Sequence, residues 1–257
     1  MRTPLVVGNW KMNGSLASAG ALATAVAAGR AGYAGVECGL CPPFVHLAAV
    51  SSALVGTGVV LGSQDVCEFA AGAYTGEIAA EMLLELGVHY AIVGHSERRA
   101  LFGDTDARVV AKVRRAVDAG LVPILCVGET LDERRSGVTE TVIAAQLDAL
   151  LAQPDATSLL QALVIAYEPV WAIGTGETAT PAQAQAVHAF IRQRVAGRAP
   201  DIAAGLRLLY GGSVKPGNAP DLFAMPDIDG GLVGGAALQP EDFIAICAAA
   251  RSRVMAS

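Results

Sequence analysis

The stretch that decides the fold lies in the middle of the chain, at residues 90–127: YAIVGHSERRALFGDTDARVVAKVRRAVDAGLVPILCV. It begins with an apolar run at Tyr90–Gly94 and ends with another at Val122–Val127. Between them, valines recur at helical spacing from Val109 to Val117, and Gly120 follows as a stop signal. Neither apolar run alternates with polar residues, which is typical of a parallel strand covered on both faces. The stretch therefore predicts a strand, a helix and a second, parallel strand.

The same alternation of apolar runs and helix-like segments extends along the whole sequence. The predicted strands are Leu5–Asn9, Val36–Leu40, Val59–Gln64, Tyr90–Gly94, Val122–Val127, Leu163–Tyr167, Leu206–Tyr210 and Gly231–Val233. Such β-then-α units, without a linker or low-complexity tract, favour an α/β fold with a closed (β/α)8 barrel as a single domain over residues 1–257. An open, doubly wound sheet is the alternative, and it is disfavoured because no G-x-G-x-x-G motif follows the first strand.

Composition and charge argue against several classes of protein. Hydrophobic residues make up 53% of the sequence, but Gly, Asp, Glu and Arg interrupt every apolar stretch before the roughly 20 residues that a membrane span needs. The net charge of −6 disfavours nucleic-acid and acidic-membrane binding, so an anionic ligand must be met by local positive potential. The first apolar run is too short for a signal peptide. These features predict a cytoplasmic protein without a nucleic-acid or membrane partner.

Cysteine usage agrees with a reducing compartment and does not indicate a metal site. Five cysteines are present, and an odd number in a chain of this size does not suggest a disulfide framework. Cys38 and Cys41 form a C-x-x-C pattern within a predicted strand. Residues three apart on a strand point to opposite faces, and no second pair completes a zinc site, so we expect no metal.

Polar residues at strand ends carry the most functional information, because the site of a (β/α)8 barrel lies where strands end and helices begin. Lys11 follows the first strand, although a lone lysine there is more often a solvated residue than an anion ligand. His95 follows the fourth strand, with Ser96 as a possible N-cap. The N-terminus of a helix would keep the imidazole neutral and able to donate a hydrogen bond to a carbonyl oxygen. The alternative is that His95 only caps or packs.

Glu168 ends the sixth predicted strand, where a carboxylate is costly unless it is paired or used. Pro169 stiffens the start of the following loop, Gly174 and Gly176 loosen its end, and the bulky Trp171 lies between them. This pattern predicts a lid over Glu168, with an ordinary surface loop as the alternative.

Glycine pairs end the last two predicted strands, at Gly211-Gly212 before Ser213 and at Gly234-Gly235. Such pairs let backbone N–H groups approach a phosphate closely. One pair is weak evidence, but two pairs after strands seven and eight predict a phosphate site. A base, a neutral donor, a cation and an anion cradle together favour proton abstraction beside the carbonyl of a small phosphorylated sugar, without a cofactor.

Four segments together resemble the signature segments of the triosephosphate isomerase family, whose fold is the TIM barrel. They are NWKMN at residues 9–13, GHSERR at 94–99, AYEPVWAIGTG at 166–176 and YGGSV at 210–214. The resemblance extends from residue 5 to about residue 250. It implies the cofactor-free interconversion of dihydroxyacetone phosphate and D-glyceraldehyde 3-phosphate, in glycolysis and gluconeogenesis.

The resemblance also implies roles for individual residues, and this family is itself the standard worked example of a glutamate base, a neutral histidine and a closing loop. Glu168 would move the proton and His95 would polarise the carbonyl oxygens. Lys11 and Asn9 would bind substrate and stabilise negative charge, with Glu97 supporting the site. Backbone groups at Gly174, Ser213, Gly234 and Gly235 would bind phosphate. The lid would comprise Pro169, Val170, Trp171, Ala172, Ile173, Gly174, Thr175 and Gly176. Thr75 would reach into the partner subunit of a homodimer.

Three positions depart from the pattern of the family. Glu177 stands at the far end of the lid in place of a lysine, Asp104 replaces a glutamate, and Ala237 replaces a serine. Two other functions compete with isomerisation of the trioses. One is a barrel that binds a sugar phosphate or a protein without turnover, which the intact set of Lys11, His95 and Glu168 disfavours. The other is an isomerase of larger sugar phosphates, which the short lid disfavours.

Overall fold

The structure is a computed structural model that describes residues 2–174 and 176–251. Within these residues, eight strands form a closed barrel in chain order, each parallel to the next, and β8 pairs with β1. The strands are β1 (Leu5–Asn9), β2 (Glu37–Cys41), β3 (Val60–Ser63), β4 (Val88–Val93), β5 (Val122–Val127), β6 (Val164–Tyr167), β7 (Leu208–Tyr210) and β8 (Gly230–Val233). The prediction of a (β/α)8 barrel is confirmed, and the open sheet is wrong.

The α-helices lie in the connections between strands and after the last one. They are α1 (Leu16–Ala28), α2 (Leu47–Leu54), α3 (Ala80–Glu85), α4 (Ser96–Leu101), α5 (Asp106–Ala119), α6 (Leu131–Arg135), α7 (Thr139–Leu151), α8 (Ala156–Gln161), α9 (Pro181–Ala196), α10 (Pro200–Gly205), α11 (Ala219–Phe223) and α12 (Pro240–Ala249). Short 3-10 helices occupy Gly29–Tyr33, Phe44–His46, Val170–Ala172 and Gly235–Leu238. In the described part of the chain, no helix combines the length and the apolar character that crossing a membrane requires.

Strand boundaries agree with the sequence at β1 and β5 and shift by one or two residues at the other strands. Two shifts have a clear physical cause. Gly94 adopts a left-handed φ of 72°, so β4 ends one residue earlier than predicted. The N–H of Leu206 donates to Ile202 O at 2.9 Å and completes the last turn of α10, so β7 begins only at Leu208.

Two layers of apolar side chains hold the barrel together. One fills the barrel interior, and the other packs the strands against the surrounding helices. Successive strand residues alternate between the layers, so Cys38 lies in the outer layer and Cys41 in the interior. All five cysteines fall within the described residues, where they are buried and free of disulfides. The prediction that Cys38 and Cys41 face opposite sides of the strand is confirmed.

The seam where the barrel closes depends on a glycine. Gly230, the first residue of β8, pairs with Leu5 and has a φ of 141°. A Cβ atom at this position would lie 1.9 Å from Leu5 O. Only glycine therefore lets the first and last strands approach closely enough to pair.

Candidate active site

A cavity of about 470 Å³ opens at the carboxyl ends of the strands. Its lining includes most of the residues predicted from the sequence to take part in chemistry or phosphate binding: Asn9, Lys11, His95, Glu168, Gly174, Ser213, Gly234 and Gly235. These residues lie at or after the carboxyl ends of β1, β4, β6, β7 and β8, so the barrel gathers residues that are far apart in the sequence. The predicted clustering at strand ends is therefore present in the structure.

Lys11 is held in an unusual backbone conformation directly after β1. Its φ is 51°, a left-handed value that costs a non-glycine residue about 1–3 kcal/mol unless its surroundings enforce it. The Lys11 N–H donates to Asn9 Oδ1 at 3.0 Å, and Gln64 Nε2 donates to Lys11 O at 2.9 Å. The Lys11 ammonium contacts Glu97 Oε1 at 2.5 Å. Gln64 was not predicted as a site residue, because its contact with Lys11 O spans two strands.

His95 caps helix α4 with its own side chain. Its Nδ1 accepts a hydrogen bond from the Glu97 N–H at 3.2 Å. The prediction that Ser96 would be the N-cap is wrong, because the helix begins at Ser96 and the His95 imidazole occupies the capping position. An accepting Nδ1 must be unprotonated, which leaves Nε2 to carry the proton toward Glu168 Oε1 at 2.9 Å.

Two influences on the His95 pKa oppose each other. Burial lowers it, whereas the charge and hydrogen bond of Glu168, together with the charge of Glu97, raise it more, so the pKa lies above its ordinary value. The hydrogen bond at Nδ1 nevertheless fits only a ring without a proton on that atom. The effect of Glu168 on the pKa belongs to the arrangement in which its carboxylate touches the ring, whereas the hydrogen bond from the Glu97 N–H specifies which ring nitrogen lacks a proton. The neutrality of His95 remains a prediction.

Glu168 is buried between its neighbouring strands. Its Oε2 accepts from the Ser96 N–H at 2.9 Å, and its own N–H donates to Val127 O at 2.8 Å. A Cβ atom at Gly128 would lie 1.8 Å from Glu168 O, and one at Gly211 would lie 2.9 Å from Glu168 Cγ. These two glycines leave the space that Glu168 occupies. The sequence did not single out Gly128, since it ends a different strand from Glu168.

The loops after β7 and β8 present backbone groups rather than charged side chains at Gly212, Ser213, Gly234 and Gly235. A Cβ atom at Gly212 would lie 2.3 Å from Tyr210 Oη, whereas one at Gly235 meets open space in the described part of the chain. Asn218 fixes the loop after β7 by donating from Nδ2 to Ser213 O at 3.1 Å and accepting from the Lys215 N–H at 2.8 Å. This end of the cavity suits an anion held by N–H groups.

The predicted lid follows Glu168 and contains a 3-10 helix at Val170–Ala172. Gly174 and Gly176 have left-handed φ values of 70° and 88°, and the predicted lid residue Thr175 lies outside the described residues. The indole Nε1 of Trp171 donates to Glu129 Oε1 at 3.0 Å. The Trp171 side chain therefore anchors the first part of the loop to the residue that follows the end of β5 by two positions.

Glu129 anchors the lid from a fully buried position. Its Oε1 also accepts from Tyr167 Oη at 3.1 Å and contacts Arg134 Nη1 at 3.2 Å. The Arg134 guanidinium in turn lies 4.8 Å from the centre of the Trp171 ring. Glu129 was not predicted from the sequence. It could have been found in the same way as Glu168, because it is also an acidic residue close behind an apolar strand.

The remaining predicted residues lie at the edge of the site. Glu97 is half-exposed and does not line the cavity itself, but it contacts two residues that do, Lys11 and His95. Thr75 is exposed on the loop of residues 64–79, whose Phe69 and Tyr74 rings stack 4.1 Å apart. Contacts with a partner subunit remain a prediction.

The three departures from the family pattern have different surroundings. Asp104 is buried and accepts from Lys112 Nζ at 3.0 Å and from Arg98 Nε at 3.1 Å, so its shorter side chain is fully engaged. Ala237 is buried behind β1, where a Cβ atom at Gly8 would lie 3.0 Å from its methyl group. Glu177 is exposed beyond the lid, and its effect on lid motion remains a prediction.

One cluster with possible metal ligands lies outside the cavity in the part of the chain that the structure describes. Ligand atoms of Cys67, Glu68 and Glu77 fall within 4.8 Å of one another. Glu68 already binds Arg108 Nε at 2.7 Å, so a cation would have to displace an arginine. The arrangement is better explained as an ion pair beside a buried thiol.

Comparisons with known proteins agree with the geometry of the cavity. The family model described as triosephosphate isomerase matches residues 4–250. A triosephosphate isomerase of Thiobacillus denitrificans is 58% identical over 97% of this chain and 99% of its own length. One of Alcanivorax borkumensis is 59% identical over the same shares, and one of Dechloromonas aromatica is 56% identical over 97% of this chain and all of its own. The chain therefore belongs to the triosephosphate isomerase family.

Proposed function

We propose that this chain interconverts dihydroxyacetone phosphate and D-glyceraldehyde 3-phosphate without a cofactor. Membership of the family supports this reaction. The observation that carries the mechanism is the contact of 2.9 Å between the buried Glu168 carboxylate and His95 Nε2, at the wall of a cavity that is also lined by Gly212, Ser213, Gly234 and Gly235. An acid–base pair and an anion cradle face the same space.

Glu168 acts as the base in this proposal. Its carboxylate turns from Ser96 and His95 toward the substrate and removes a proton from the carbon beside the carbonyl. The C–H electron pair moves into the new C=C bond, and the carbonyl oxygen gains the negative charge of an enediolate. The proton of the neighbouring hydroxyl group moves to this oxygen, and Glu168 returns its own proton to the carbon that held the carbonyl. The C=C electron pair forms that new C–H bond, and the oxygen that lost its proton becomes the new carbonyl oxygen. Atoms and charge balance without an oxidant or a metal ion.

The other polar side chains stabilise the charge that develops on oxygen. His95 donates from Nε2 to the two substrate oxygens in turn, and it does so as a neutral ring because its Nδ1 is occupied by the Glu97 N–H. Lys11 and Asn9 supply a cation and an amide at the end of β1, and Glu97 orients the lysine. Fixed donors of this kind need no reorganisation as the charge forms.

Backbone groups of Gly174, Ser213, Gly234 and Gly235 bind the phosphate in this proposal. Closure of the lid over residues 169–176 brings Gly174 to the ligand and excludes water, which protects the enediolate phosphate from elimination. Because Trp171 is anchored on Glu129, closure changes the surroundings of that indole.

A coupled assay on the purified protein with both trioses tests the reaction. We expect turnover in both directions, loss of it in Glu168→Gln, and binding of inorganic phosphate that survives this substitution. Phosphate binding without turnover in the folded, unmodified protein would favour the binding barrel. Faster turnover of larger aldose phosphates would favour the isomerase of larger sugars.

We also propose that the chain acts as a cytoplasmic homodimer, without a nucleic-acid or membrane partner. Met12, beside Lys11, is 95% exposed, and Leu101 and Phe102 at the end of α4 are 74% and 60% exposed. Large exposed apolar side chains of this kind are typical of a surface that another protein covers. Light scattering should give twice the mass of one chain. Thr75→Arg should lower it, whereas Thr24→Arg on the exposed face of α1 should not.

A further inference from the structure

We propose that Arg99 is a positioning residue that fixes the distance between His95 and Glu168. It does so by tying together the carbonyl groups at the ends of β4 and β5. This inference rests on the proposed roles of His95 and Glu168. It adds a residue that touches neither the substrate cavity nor the reacting atoms.

The Arg99 side chain turns back from α4 onto the edge of the barrel. Its Nε donates to Gly94 O at 2.8 Å, and its Nη2 donates to Cys126 O at 3.2 Å. Its third contact is outward, from Nη1 to Asp106 Oδ1 at 2.6 Å. The guanidinium therefore bridges two neighbouring strands at the point where the fourth strand ends and the fifth is about to end.

Each of the two carbonyl groups lies next to a residue of the proposed acid–base pair. Gly94 directly precedes His95, and its left-handed φ of 72° sets the direction in which the chain leaves β4. Cys126 precedes Val127, whose carbonyl oxygen accepts from the Glu168 N–H at 2.8 Å. A continuous path of backbone and hydrogen bonds thus joins His95 to Glu168 through Arg99.

The space around this bridge is tight. A Cβ atom at Gly94 would lie 2.9 Å from Val109 Cγ2 and 3.1 Å from Arg99 Nη2. The turn that carries His95 and the Ser96 N–H is therefore packed against α5 on one side and the guanidinium on the other. Without the guanidinium, both carbonyl groups lose a donor and the turn loses one of its two supports.

The planar fork of arginine is needed because two acceptors on different strands must be bound at fixed angles. Lysine offers a single point charge on a flexible stem and cannot hold both carbonyl groups in the same way. Arg114 on α5 provides a matched comparison. It binds Asp155 through Nε at 2.9 Å and Nη2 at 2.8 Å. Its side chain is more exposed than that of Arg99, and it does not line the cavity.

The proposal separates catalysis from binding, which gives it a readout that a purely structural role would not move. The phosphate cradle lies after β7 and β8, away from the Arg99 bridge, so substrate binding should persist. A displacement of about 1 Å between reacting groups costs about 100-fold in rate. We therefore expect Arg99→Lys to lower kcat about 10- to 100-fold and to leave KM within about twofold.

The experiment measures kcat and KM for Arg99→Lys, Arg99→Ala, Arg114→Lys and Asp106→Asn, with circular dichroism to verify folding. Arg114→Lys and Asp106→Asn should keep kcat within about threefold, since neither removes a bond to the two carbonyl groups. Added guanidinium should restore part of the lost kcat in Arg99→Ala. If that variant does not fold, Arg99→Lys and its two controls decide the question.

Three results would overturn the proposal: an unchanged kcat in Arg99→Lys, a rise in KM that accounts for the loss, or an equal loss in Arg114→Lys. A folded Arg99→Ala variant that guanidinium does not rescue would also count against it. Failure of the proposed function looks different. In that case the unmodified protein would turn over neither triose, or His95→Gln and Glu168→Asp would retain full activity, whatever the Arg99 variants do.

Discussion

The two sides of the cavity are built from different materials. After β1, β4 and β6, the cavity wall includes three polar side chains, namely Lys11, His95 and Glu168, each of which is hydrogen-bonded to a residue of α4. After β7 and β8, the residues of the wall nearest the strand ends are glycines and one serine, at positions 211–213 and 234–235. The chemistry of the first side requires particular side chains, whereas close approach of a ligand to the second side requires that side chains be absent.

This difference separates the two tasks of the proposed enzyme. Groups that move protons and stabilise charge need particular side chains at particular distances, so changes there should lower kcat. Groups that hold a phosphate need only closely approaching N–H donors, so changes there should raise KM. Three substitutions in the cavity test this separation by kinetics, and the stability of the protein in acid tests the packing of α9 against β6 and β7.

Glu168→Asp should lower kcat by about 10³-fold, because the carboxylate retreats by one bond from the substrate carbon. KM should change by less than about threefold, since the phosphate cradle is untouched. Steady-state kinetics in both directions provide the measurement, and Glu241→Asp at the exposed start of α12 serves as the control. A large rise in KM would show that Glu168 also determines binding and would break the division.

Acid should destabilise the fold through a buried histidine that packs where the two sides of the cavity meet, at β6 and β7. His188 on α9 is buried, and its ring centre lies 5.7 Å from that of Tyr167 on β6 and 6.4 Å from that of Tyr210 on β7. Burial lowers the His188 pKa to about 3. In the unfolded chain the His188 imidazole binds a proton near pH 6.5, whereas in the folded chain it stays neutral down to about pH 3. Folding free energy should be lost as the pH falls through this window, by up to about 1.4 kcal/mol per pH unit.

Urea unfolding at several pH values between about 7 and about 4.5 measures this loss. His188→Gln should show a weaker dependence on pH than the unmodified protein. His89→Gln, which replaces an exposed histidine, should keep the full dependence. Equal slopes in all three proteins would assign the effect to other groups.

Gly235→Ala should raise KM about tenfold, equivalent to about 1.4 kcal/mol, with kcat nearly unchanged. A methyl group at this position meets open space in the described part of the protein, so the fold should tolerate it while the phosphate is held farther from the backbone. Gly217→Ala, whose added methyl group also meets open space there, is the matched control. A fall in kcat instead would indicate that this loop also orients the reacting carbons.

Asp242→Asn should have the smallest effect, lowering KM about twofold. Asp242 lines the cavity and lies in the first turn of α12, where its negative charge opposes that of a phosphate ester at about 1 kcal/mol or less across solvent. Inhibition by inorganic phosphate at two salt concentrations measures the effect, because added salt should shrink it. Asp221→Asn, in the first turn of α11, is the control. An unchanged KM at low salt would place the phosphate out of reach of Asp242.

The sequence predicted those features that a single segment can encode. The strand bounds of β1 and β5 were correct, and Lys11, His95 and Glu168 were recognised because each follows an apolar run. Gln64, Arg99 and Gly128 were not singled out, because each makes its contacts with residues at the end of another strand, which no single segment reveals. The N-cap was assigned to Ser96 because serine is a common cap, whereas an imidazole can accept the same hydrogen bond.

The left-handed backbone of Lys11 makes two distant positions of this protein dependent on each other. The lysine keeps that conformation with the help of a hydrogen bond from Gln64, which lies directly after β3. A substitution at position 64 would therefore be felt at position 11, although the two are separated by 53 residues. As this sequence evolves, we expect Gln64 to be retained as long as Lys11 is, because the backbone conformation that directs the lysine side chain depends on the glutamine.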